Sequence, residues 1–167
     1  MLIFRFKKIL STVLILVSIA ALLPITCVDA SAKAKKKSEP TASPTPGIVL
    51  DASVLANDAF VAINAHRKAK NLPEYVNNEL LEEYAKQRAM EISKNFSHDS
   101  SIKTDIPLVL VGENLGKGML MTGQNMVKTW INSSFHKSLI EDRNYTCCAV
   151  GVYVDKNLNT YYAVEFM

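Results

Sequence analysis

The sequence predicts an α+β domain in which helices cover a small antiparallel sheet. Two observations carry this. Apolar residues recur at helical spacing through three segments between residues 51 and 140, and residues 149–166 are rich in Val and Tyr on both sides of a polar turn. Asp51 is placed to cap a first helix that runs to about Lys70, with Leu55, Ala59, Ala62 and His66 on one face and Ile63 beside them. Asn71, Leu72 and Pro73 end it. A second helix is expected from about Asn78 to about Asn95. Leu81, Ala85, Ala89 and Ile92 form its apolar stripe, and Glu82, Glu83, Lys86 and Arg88 its wet face. Residues 108–111, between Pro107 and Gly112, read as a buried strand with Glu113 just past its end. Thr122 or Gly123 opens a third helix that gathers Met126, Val127, Trp130 and Ile131 on one side, and residues 135–140 add a further helical turn. Residues 149–155 and 160–166, around Lys156, Asn157, Leu158 and Asn159, form the closing hairpin.

Three zones precede or make up this domain. In residues 1–30, Arg5, Lys7 and Lys8 stand ahead of an apolar run over residues 9–25, and small residues follow at Ala30 and Ala32, the pattern of an export signal. The run also nears the ~17 residues that just span a bilayer, so the alternative is an uncleaved anchor. Cys27 raises a lipoprotein signal, but Pro24, Ile25 and Thr26 match poorly what precedes an acylated cysteine. Residues 31–47 hold four lysines and three prolines among Ser and Thr, and read as a solvated linker. Residues 48–167 are enough chain for one core.

The net charge of +3 belongs to the upstream zones. Arg5, Lys7 and Lys8 against Asp29, then Lys33, Lys35, Lys36 and Lys37 against Glu39, leave the domain net negative by two. A nucleic-acid-binding domain would keep a basic patch inside the fold, so that class is excluded. Beyond Cys27 the chain has Cys147 and Cys148, which is not a disulfide framework. Neighbours on a strand point to opposite faces. Buried thiols acting as small hydrophobes is the plainer reading, and a strained vicinal or an intermolecular bond the sharper one.

His98, Glu113 and His136 each follow or interrupt a hydrophobic element. Two imidazoles and a carboxylate can hold a divalent metal such as zinc with a position left open, but none of the spacings is a local metal motif, so convergence must come from the fold. Asn114 reads as a structural amide and His66 as a partly buried structural histidine.

The order of motifs adds a resemblance. Asn64 and Arg67 followed by Leu72-Pro73, then Phe96-Ser97-His98, then Gly112-Glu113-Asn114-Leu115, then the stretch from Trp130 through Asn132, Ser133 and His136 to Ile140, and finally Val150-Gly151-Val152 with Tyr161 to Phe166, resemble the CAP superfamily (cysteine-rich secretory, antigen five and pathogenesis-related proteins), of bacterial type. The resemblance implies an α-β-α sandwich with a cleft where His98, Glu113 and His136 converge as ligand-binding or metal residues. The resemblance implies two histidines and two glutamates in that cleft, but Ser133 stands in the place of the second glutamate, so the set of four is incomplete, and Ser134-Phe135 replaces the usual Pro-Gly before His136. It implies a secreted or cell-surface module that binds a wall polymer, lipid, peptide or protein, with the membrane reached only through the N-terminal segment. The alternative is a metal-dependent or acid/base hydrolase with Glu113 as general base. A serine nucleophile at Ser133 or Ser134 is the weakest reading, because a triad is a matter of spatial geometry.

Overall fold

The computed structural model describes residues 50–106 and 111–167. The expected signal, the linker and residues 107–110, with most of the expected first strand, lie outside the described residues. Among the described residues, four helices and three strands follow in the order α1 (Ala52–Ala69), α2 (Glu79–Lys94), β1 (Gly112–Met119), α3 (Gly123–Ile131), α4 (Ser134–Ile140), β2 (Cys148–Val154) and β3 (Asn159–Phe166). Among the described residues, no helix is long and apolar enough to cross a membrane.

Local chemistry sets the helix ends. The Asp51 carboxylate accepts from Ser53 N and Val54 N at 2.8 and 3.4 Å, Asn78 from Leu81 N at 2.9 Å, and Thr122 from Asn125 N at 3.2 Å. Each satisfies a backbone donor that the first helical turn leaves without a partner. After α1 the chain turns at Asn71, whose φ of 54° lies in the left-handed region that asparagine tolerates.

The three strands form one antiparallel sheet in the order β1-β3-β2, with β3 at its centre. Glu113 pairs with Glu165 and Leu115 with Ala163, while Ala149 pairs with Glu165 and Gly151 with Ala163. Odd-numbered side chains therefore share one face, which α2 covers. Even-numbered ones share the other, where Val150, Val152, Tyr162, Val164 and Phe166 join Leu55, Ile63, Met126, Val127 and Trp130 in the main core. Helices on both faces of a small sheet make the expected α-β-α sandwich.

Helix α2 lies close against the sheet at Gly151, where an added Cβ would lie 2.0 Å from the backbone O of Ala85. Backbone cannot swing aside as a side chain can, so Gly151→Ala is expected to lower stability by about 1–3 kcal/mol, measured by urea unfolding. A stability unchanged within error would show that α2 can move off the sheet.

Two expectations are corrected. Glu113 does not stand past the end of a strand: it is the second residue of β1, Gly112–Met119, whose extent is set by its hydrogen-bond partner β3 running out to Phe166. Arg88 is not on a wet face but is fully buried. Its position continues the stripe of Leu81, Tyr84 and Ala85, all of which face the sheet. The further helical turn expected over residues 135–140 is α4, which Ser134 and Phe135 open, so His136 is presented from a helix. Cys148 is a buried free thiol whose pKa is raised by burial, as a small hydrophobe in an apolar layer should be, and this excludes a bond between it and Cys147.

Candidate functional site

His98 follows α2 in the segment over residues 95–101, Glu113 is the second residue of β1, and His136 the third residue of α4. The fold brings the first two into direct contact: His98 Nδ1 lies 2.6 Å from Glu113 Oε2. The His98 side chain is 60 % exposed while that of Glu113 is 14 % exposed, so the imidazole forms the open lip and the carboxylate the floor. His136 approaches from the opposite face of the sheet at the edge strand β1. Burial lowers its pKa below the ordinary histidine value, and charge on nearby His98 lowers it further. Near neutral pH the His136 ring is therefore neutral.

Both imidazoles are oriented through Nδ1, His98 by Glu113 and His136 by Ser133 Oγ at 2.9 Å. Neither Nε2 has a hydrogen-bond partner among the described residues. Asn114, fully buried, donates from Nδ2 to the His136 carbonyl at 2.9 Å and so ties α4 to β1. Ser133 acts as the partner that sets the His136 ring. His66 is structural, as expected: its Nε2 lies 2.8 Å from Glu141 Oε1.

Two buried arginines hold the elements that carry the histidines. Arg67 donates from Nε to the Pro73 carbonyl at 2.7 Å and from Nη1 to those of Ile140 and Asp142 at 2.8 Å, and its guanidinium lies 3.5 Å from the Tyr75 ring centroid. It thereby anchors the end of α4. Asn64 completes this corner, exchanging hydrogen bonds with the Tyr75 backbone at 2.8 and 2.9 Å. Arg88 does the same for His98. Its Nε donates to Glu113 Oε1 at 2.6 Å and its Nη2 to Glu113 Oε2 at 3.1 Å, while Nη2 and Nη1 reach the carbonyls of Ser97 and Asp99 at 2.9 and 3.4 Å. Those two carbonyls flank His98.

Arg88 Nη1 also meets Glu91, a side chain on the same helix. Burial works against charge on Arg88, but the bonds to Glu113 and Glu91 more than offset it, and its pKa sits above the ordinary arginine value. Burial would likewise raise Glu91, yet the backbone N–H and hydroxyl of Ser101, Arg88 and the Ser100 hydroxyl hold it at about 2. Glu91 thus stays ionised and pins the far side of the His98 segment, with Ser101 N at 2.7 Å.

Glu165, 1 % exposed, stands beside Glu113 on β3. Burial and then the Glu113 charge push its pKa well above the carboxylate range, which makes it the neutral member of the pair. Arg88, Glu91 and Glu165 went unrecognised in the sequence as parts of the site. The signal for Arg88 was its place on the apolar stripe; for Glu165 it was a lone carboxylate in an otherwise apolar strand.

The donor set does not fit a metal site in this arrangement. Both Glu113 oxygens are engaged by Arg88 and His98, and among the described residues no group of three or more His, Cys, Asp or Glu side chains could hold a metal ion. What the geometry offers is a His98–Glu113 contact backed by Arg88, with the His136 ring near enough for charge on His98 to act on it.

The model of the CAP family, the cysteine-rich secretory protein family, matches residues 60–166. No curated relative matches. Among solved structures, an outer surface protein from Borrelia burgdorferi superposes with a TM-score of 0.60 at 20% identity, over 70% of this chain and 94% of that one. A cysteine-rich secretory protein from Staphylococcus aureus gives 0.53 at 20% identity, over 77% of this chain and 43% of that one. Venom allergen-like protein 4 from Schistosoma mansoni gives 0.53 at 18% identity, over 66% and 86%. At these identities the similarity concerns the fold.

Proposed function

From the chain's membership of the CAP family, shown by a match over residues 60–166, we propose that it is an extracellular binding module whose ligand is taken up in the cleft of His98, Glu113 and His136. The observation that carries this reading is the pair of imidazole Nε2 atoms, both oriented through Nδ1 and both without a protein partner among the described residues. Oriented but unpaired polar edges in a cleft are what a ligand's hydrogen-bonding groups require. Placement outside the cytoplasm is supported by the basic and then apolar N-terminal segment and by similarity to an outer surface protein and a secretory protein.

Binding is favoured over hydrolysis by the floor. A general base must have a lone pair open to take a proton from water, and three of the four acceptor positions of the Glu113 carboxylate are taken by Arg88 and His98, with Glu165 beside it. Titrating the protein with soluble wall-polymer fragments, lipid vesicles or short peptides, while following the ring resonances of His98 and His136, tests the reading. One of these should move both rings and lose its effect in His98→Ala/His136→Ala. Cleavage of the ligand that disappears in Glu113→Gln would instead establish the hydrolase.

Zinc uptake at this cleft is expected to be weak, because Glu113 would have to leave Arg88 to become a third ligand. It should weaken further below about pH 6, where imidazoles take up protons, and vanish in the double alanine variant. Metal analysis of purified wild type and variant checks this. Tight uptake that survives the double substitution would place the metal elsewhere.

A further inference from the structure

A second site lies away from this cleft, at the free edge of β2. Cys147 and Met167 exchange both backbone hydrogen bonds, at 2.8 and 2.9 Å, and Asp155 N donates to the Asn159 carbonyl at 2.9 Å. Odd-numbered residues of β2 therefore bond to β3, and even-numbered ones turn their N–H and C=O away from it. At the start of the strand that outer edge is already used: Cys148 N donates to the Val76 carbonyl and Val76 N to that of Thr146, both at 3.1 Å, in a parallel bridge. At Val150 and Val152 the outward groups have no protein partner among the described residues, although these residues are only 4% and 8% exposed.

These groups open into a groove of about 460 Å³. Val150 and Val152 form its floor, Ala52, Ala56 and Phe60 of α1 one wall, and Glu82 and Lys86 of α2 the other. Buried backbone groups without partners are rare, because each loses its bond to water, and an edge strand that presents them is a template for another strand.

We infer that this groove is a peptide-binding site, in which an extended segment of another polypeptide adds to the outer edge of β2 and bonds to the backbone of Val150 and Val152. Those residues offer donors and acceptors at the two-residue repeat of a strand, about 7 Å, which a simple apolar molecule cannot satisfy. The edge lies at the bottom of a cleft between two helices, so a single strand reaches it where a second folded copy with the same recessed edge does not. Lys86 and Glu82 pair with each other at 2.7 Å, which leaves the wall without net charge and selects a segment with uncharged side chains. The Asn57 side chain, at the lip and without a hydrogen-bond partner among the described residues, is available to a backbone group of the incoming strand. The Val76 bridge shows the chain already using the same edge one step earlier.

The test uses the intact protein and the capped peptide acetyl-Thr-Val-Thr-Val-Thr-amide. At a peptide concentration of about nine times Kd, amide exchange at Val150 and Val152 should slow roughly tenfold, while the same peptide with N-methyl groups on alternate amides has no effect. Ala56→Trp, which fills the groove, should abolish binding, and His98→Ala/His136→Ala should leave it unchanged, since the two sites are separate. Absence of peptide binding up to millimolar concentrations overturns the inference. So does exchange at Val150 and Val152 that is already slow without peptide: if protection is lost on removing residues 1–47 the occupant is the chain's own N-terminal segment, and if it is lost on dilution the occupant is a second copy.

Discussion

Arg88→Ala is expected to unfold the domain or to destabilise it by about 3–5 kcal/mol, the usual cost of removing one partner from a buried ion pair. Arg88 is fully buried, and its removal leaves Glu113 and Glu91 without their cation and the carbonyls of Ser97 and Asp99 without a donor. Such a loss is a large part of the ~5–15 kcal/mol that holds a typical domain together. Arg88→Lys should fail almost as badly, because a single ammonium cannot span Glu113 on the sheet and the two carbonyls beside His98. Adding Glu113→Gln to Arg88→Ala should recover part of the loss by removing the orphaned charge, and the double-mutant cycle measures the coupling. Additivity of the two substitutions in urea unfolding would refute the pair as the organising contact. The His98 ring signal should also lose its dispersion in any Arg88 variant that still folds, since Arg88 ties both flanking carbonyls.

Trp130→Ala should cost about as much, roughly 3–5 kcal/mol, by a different mechanism. Trp130 is 1 % exposed, stands edge-on to Tyr162 at 6.3 Å between ring centroids, and donates from Nε1 to the Leu115 carbonyl at 2.9 Å. Alanine would leave a cavity between α3 and the sheet and an acceptor in β1 with no donor. Trp130→Phe keeps most of the packing and loses the hydrogen bond, so its cost should be clearly smaller. Trp130 is the single tryptophan of the chain, and its emission should be blue-shifted in the native state and move red on unfolding. An emission maximum typical of exposed indole in the native protein would contradict this burial.

The stripe that buries Leu55, Ala59 and Ile63, the caps at Asp51 and Asn78, and the hairpin around residues 155–158 depend on contacts within a few residues, and the order of residue types alone determined them. So, too, did the family resemblance and the choice of His98, Glu113 and His136 as candidate site residues. That Glu113 stands inside a strand was not legible, because the extent of a strand is fixed by its partner, here β3, which lies some fifty residues away in the chain. Arg88 was assigned to solvent because a charge usually stands there. Only the tertiary structure supplied Glu113, Glu91 and two backbone carbonyls to compensate that charge inside the protein. The same long-range geometry decided that Glu113 is held by an arginine rather than left open as a ligand, that Glu165 is buried beside it, and that Val150 and Val152 face a groove with their backbone groups unpaired. Helical periodicity and capping are local properties of the chain, whereas compensation of a buried charge and exposure of a strand edge depend on which distant segments come together.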